Sequence, residues 1–167
     1  MIKRSELKIG NGTVMLALLL GVIGAAQAGS YSNIYFYGDS LTDSGVYRPI
    51  LGNPTYDHFS TNPGTVWSQN LGANYGFAVS PAYAAQPSTD PVVFSQIESG
   101  NNFATGSARI NLATTTPANG ALIPPVSTQV THMLARGPLD PNALYTISGG
   151  HNDVFAQLSA GSNAAAV

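Results

Sequence analysis

Three short polar stretches of this sequence bring together residue types that can carry out acyl transfer. Gly38-Asp39-Ser40-Leu41 places a hydroxyl in a tight turn, Gly106-Ser107 lies in a second glycine turn, and Gly150-His151-Asn152-Asp153 offers a carboxamide in a third. Ester hydrolysis passes through a tetrahedral oxyanion, so it needs a nucleophile and several donors aimed where negative charge develops. A serine at a strand-to-helix turn suits the first role, because its hydroxyl projects from the sheet edge and nearby N–H groups favour an anion. Asn152 can donate without carrying charge. Each residue also has a plainer reading. Asp39 and Ser40 are ordinary cap and turn residues, and Asn152 is a turn residue that tolerates left-handed backbone.

Two strands must deliver the outer turns. Asn33 to Tyr37 is β-branched and aromatic and runs into Gly38; Leu144 to Ser148 repeats that pattern before Gly149-Gly150. In an open α/β sheet the carboxyl ends of the strands are the edge where ligands bind. Between them the pattern predicts one helix over 65–75, around Trp67 and Leu71. A second is predicted over 127–135, with Val130, Met133 and Leu134 at helical spacing and Gly137-Pro138 as its stop. Residues 80–99 and the Thr/Pro/Gly-rich residues 113–125 read as surface loops. No repeat of 20–50 residues is visible.

The 167 residues suit one domain, preceded by an address. Lys3, Arg4 and Lys8 form a basic start, Val14 to Ala26 an apolar run, and Ala26-Gln27-Ala28 a small-x-small cleavage site, so 1–28 reads as a secretory signal peptide and 29–167 as the domain. The apolar run is shorter than the roughly 20 residues a spanning helix needs, so no integral membrane span is expected. After cleavage the chain keeps Arg48, Arg109 and Arg136, no lysine, and seven acids, a net charge of −4. Nucleic acid is therefore excluded as a partner, since its affinity comes from neutralising phosphates. Cys is 0, which removes disulfides and thiolate metal sites. His58, His132 and His151 lack zinc spacing, no lysine follows a phosphate-cradling glycine run, and no Gly-x-Ser-x-Gly elbow occurs. Neither a metal nor a cofactor is expected.

In order along the chain, Gly38-Asp39-Ser40-Leu41 with Thr42-Asp43-Ser44-Gly45, Asn102 through Arg109, and Gly150-His151-Asn152-Asp153 resemble the three blocks of the GDSL (SGNH) esterases and lipases. Their wording is most similar to the secreted bacterial branch that includes lipolytic autotransporter passengers. The resemblance covers about 33–158 and implies a flavodoxin-like three-layer α/β fold. It makes Ser40 the nucleophile and gives the oxyanion to the Ser40 amide, the Gly106/Ser107 amides and Asn152. Asp39, Asn102 and Asp153 become supporting residues that hold the turns. A small-molecule or lipid ester is the implied substrate; oligomeric state is not implied. Two positions depart from the pattern. The family usually reads Asn-x-Ala-x-Gly-Gly, and Ser107 replaces the second glycine: its N–H survives, but a side chain there crowds substrate or resists a positive φ. Val46 stands where Asn often follows Gly45.

The family's general base lies in a late Asp-x-x-His block, and no histidine follows Asp153. Without a proton acceptor a serine hydroxyl is a weak nucleophile near neutral pH. None of the three histidines has an Asp three residues before it, and each reads as a surface, packing or lining residue. The expectation is an amino-terminal part of a longer exported esterase, its sheet incomplete at the carboxyl end and the isolated segment inactive. A non-catalytic secreted or surface module that keeps the scaffold is the alternative.

Overall fold

Burial of Ile34, Phe36 and Tyr37, side chains of both faces, makes β1 (Ile34–Tyr37) a strand packed on both sides. The computed structural model describes residues 30–51, 64–86, 93–115 and 122–161; the leader, with Asp57 and His58, lies outside them. After β1 come α1 (Arg48–Leu51), α2 (Trp67–Asn74), β2 (Tyr83–Ala85), β3 (Phe94–Gln96), β4 (Thr114–Thr115) and β5 (Leu122–Ile123). They are followed by α3 (Val126–Leu134), β6 (Leu144–Ile147) and α4 (His151–Ser159).

The central sheet is α/β in character. β1 pairs in parallel with β6, Ile34 opposite Leu144 and Tyr37 opposite Ile147. On its other side β1 is flanked by 101–105: the Phe36 N–H donates to Asn101 O, Phe103 N–H to Phe36 O and Thr105 N–H to Gly38 O. Phe36 and Tyr37 point to opposite faces, as successive strand residues must. Phe36 meets the edge of Trp67 on α2, with ring centroids 5.5 Å apart. Tyr37 clusters with Phe103 and with Val126 and Met133 of α3. The two helices therefore cover opposite faces, giving the layered arrangement that parallel strands require.

Both predicted helices form, each with a start signal of its own. Gln69 reaches back to the Val66 N–H at the head of α2, and Pro125 precedes α3. α2 buries Ser68 and Gly72 rather than Trp67, which is 40% exposed. Gly72 lets the helix pack closely against the segment that follows it: a Cβ there would stand 2.3 Å from a Val79 methyl.

The two stretches read as surface loops carry more order than their composition suggests. β2 pairs antiparallel with β3, and β4 with β5. Tyr83 and Ala85 are buried, Tyr83 edge-on to Phe103, and Ile123 is buried too. Runs of two or three residues are too short for an alternation to show in sequence; their order comes from tertiary contact. Among the described residues no helix is long and apolar enough to cross a membrane.

Candidate active site

Close approach of two strand ends builds the site's floor. Gly38 ends β1 beside Ser148, whose N–H donates to Tyr37 O at 3.1 Å. A Cβ on Gly38 would sit 2.7 Å from Ser148 O, so only glycine fits. The buried polar groups of Gly38 are clamped from α3: Gln129 Oε1 accepts its N–H at 2.8 Å, and Gln129 Nε2 donates to Gly38 O and Pro124 O. Gln129 is wholly buried. The Gly38 N–H left unmet would cost about 1–3 kcal/mol, so this side chain holds the head of the turn.

The turn that follows carries Ser40. Thr42 and Asp43 both donate their N–H to Asp39 O, and the Asp39 carboxylate, 1% exposed, accepts the Leu41 N–H through Oδ1. Ser40 is left half-buried at the outer bend. Among the described residues neither its hydroxyl nor its N–H has a hydrogen-bond partner.

Asn102 and Asp43 tie the second stretch to the first. Asn102, fully buried, donates to Thr42 O at 2.7 Å and to Ser68 Oγ, and its Oδ1 accepts the Ala104 N–H. Asp43 accepts the Gly45 and Val46 N–H through Oδ1 and the Gly106 N–H through Oδ2 at 2.8 Å. Tyr47 donates its hydroxyl to Gly106 O, and burial beside Asp43 pushes that hydroxyl above its ordinary titration range, so it stays a donor. Gly106 is thus occupied at both ends of its residue. Ser107 is different: it is exposed, and its N–H has no acceptor among the described residues. Of the pair, Ser107 holds the amide open to a ligand.

Ser107 adopts φ 66°, the left-handed backbone that its side chain was expected to resist. That conformation costs a non-glycine residue about 1–2 kcal/mol, while glycine would lose about 0.5–1 kcal/mol in chain entropy. Ser107→Gly is therefore expected to stabilise the fold by roughly 0.5–1 kcal/mol, read as a higher urea midpoint at unchanged slope. A lower midpoint would show that the serine side chain contributes a contact of its own.

The third stretch closes the arrangement. Gly150, at φ 102°, ends the strand-to-helix turn and starts α4, so His151, Asn152 and Asp153 form the helix's first turn. Asn152 Nδ2 donates to Ala108 O at 2.9 Å with one of its two hydrogens. Asp153 accepts the Ile110 N–H and pairs with Arg109 Nε at 3.1 Å. His151 Nδ1 lies 3.2 Å from Asp39 Oδ2. Three turns separated by some 110 residues are thus linked pairwise at one sheet edge. An apolar depression of about 410 Å³ opens beside them, lined by Gly149, Gly150, His151, Val154 and Phe155. A larger cavity of about 430 Å³, lined by Tyr35, Tyr145 and Arg136 among others, lies toward the amino ends of β1 and β6, away from Ser40.

The sequence reading left out Gln129, Asp43 and Tyr47. Gln129 had a signal: it is a polar residue on the same helical face as Val126, Val130 and Met133. Asp43 and Tyr47 had none beyond their nearness to Ser40. His132 packs, its Nδ1 3.0 Å from the Tyr83 hydroxyl.

A family model described as GDSL-like Lipase/Acylhydrolase matches residues 34–167. Two curated proteins, both called Esterase EstA, from Pseudomonas aeruginosa and Pseudomonas putida, are each 33% identical over 164 aligned residues, covering 84% of this chain. The chain spans 25% of the length of these relatives.

Proposed function

Because this chain belongs to the family of GDSL-like lipases and acylhydrolases, we propose that it forms the nucleophile and oxyanion-binding part of an exported serine ester hydrolase. Ser40 attacks the ester carbonyl, and the general-base histidine that takes its proton comes from outside this segment. The amides of Ser40 and Ser107 and the carboxamide of Asn152 hold the oxyanion, with the first turn of α4 adding its positive end. Gly106 stands behind Ser107, its N–H engaged by Asp43. Asp39, Asn102 and Asp153 hold the three turns in place. The reaction needs no cofactor, and its substrates are small-molecule or lipid carboxylic esters. Residues 1–28 direct export and are removed after Ala28.

The observation that supports this reading is that, among the described residues, two N–H groups and one carboxamide hydrogen have no acceptor and sit on three turns tied to one another, the first of which bears a serine hydroxyl with no partner among those residues. A fluorophosphonate is expected to label the full-length protein at Ser40 and to abolish its hydrolysis of p-nitrophenyl butyrate. Mass spectrometry of the labelled protein locates the adduct and reads the mature amino terminus, expected at Gly29. A label on another serine, or none in a folded protein, overturns the nucleophile assignment; an uncleaved leader overturns export.

A further inference from the structure

The Asp39 carboxylate stands at a junction. Oδ1 accepts the Leu41 N–H at 3.1 Å, immediately beyond Ser40, and Oδ2 faces His151 Nδ1 at 3.2 Å. Asp39 is 1% exposed, whereas the His151 side chain is 55% exposed. An ionised carboxylate can only accept, so in this contact Nδ1 is the donor. Ser40 Oγ makes no hydrogen bond to either ring nitrogen, so the geometry does not make His151 a base.

We propose that His151 is a positioning residue: through Asp39 it locks the turn bearing Ser40 to the first turn of α4, which bears Asn152. The inference rests on the hydrolase reading. The nucleophile and the Asn152 donor lie on different elements, and a buried carboxylate stripped of a donor draws its neighbours toward another. Asp39 lies between Gly38, fixed by Gln129, and Ser40, whose side chain makes no hydrogen bond among the described residues. A shift of the carboxylate therefore passes directly to Ser40. Displacing a reacting group by about 1 Å can lower turnover on the order of 10²-fold.

The test compares His151→Ala and His151→Asn in the full-length protein. The asparagine carboxamide nitrogen stands where Nδ1 stands and still donates to Asp39. His151→Ala is expected to lower kcat for p-nitrophenyl butyrate by about 10–100-fold with KM changed less than about threefold. His151→Asn is expected to recover to within about threefold of the parent, and the rate of fluorophosphonate labelling at Ser40 to follow the same order. Parental kcat in His151→Ala overturns the proposal, and so does an asparagine variant as slow as the alanine one. If the alanine variant does not fold, a folded asparagine variant more than tenfold slow still overturns it. Failure of the parent protein to label at Ser40 removes the hydrolase reading itself, a separate result from labelling that is indifferent to residue 151.

Discussion

Ser40→Ala is expected to reduce kcat for p-nitrophenyl butyrate in the full-length protein by at least about 10⁴-fold, leaving the melting temperature within a few degrees of the parent. The size follows from the step that is lost. Without the hydroxyl no acyl-enzyme forms, and what survives is binding plus oxyanion stabilisation of attack by water, a small remainder of the original acceleration. The small stability change follows from the surroundings: the hydroxyl is half-exposed and makes no hydrogen bond within the described residues, so its removal strands no partner. This separates Ser40 from Ser44 and Ser68, whose side chains are buried. Replacing Ser68 would remove one of the two hydrogen bonds to Thr42 O and one made by Asn102, lowering activity through stability. Turnover above about one per cent of the parent in the Ser40→Ala protein would sink the assignment.

What could be read beforehand follows from range. β1 and β6 were legible because each is a short aromatic, β-branched run ended by glycine, and α3 because Val130, Met133 and Leu134 recur at helical spacing before Gly137-Pro138. Ser40, Ser107 and Asn152 stood out because each lies in a turn whose wording resembles a family block, and the structure links those three turns. Hidden from the sequence were the links between turns. Nothing local in Asp43 says that its second oxygen reaches Gly106, 63 positions away, or that Asp39 and His151 meet across 112. The short pairs β2–β3 and β4–β5 were hidden for a related reason: their residues order on contacts such as Tyr83 with Phe103, not on their own pattern.

The same links give Asn152 a consequence that its sequence block alone does not. Asn152→Ala is expected to lower kcat by about 10²–10³-fold, the usual cost of one oxyanion donor, with KM changed less than about threefold. Because the second amide hydrogen serves Ala108 O, the substitution also loses a hydrogen bond of about 1 kcal/mol, too little to unfold the protein or to account for the loss of rate. The two effects part on inhibitor binding. A boronic acid that forms a tetrahedral adduct at Ser40 mimics the oxyanion, so its affinity should fall in step with kcat/KM, while a planar ester analogue should bind as before. If kcat stays within threefold of the parent, or if both inhibitors weaken together, Asn152 serves the turn and not the transition state. The oxyanion would then rest on the amides of Ser40 and Ser107 alone.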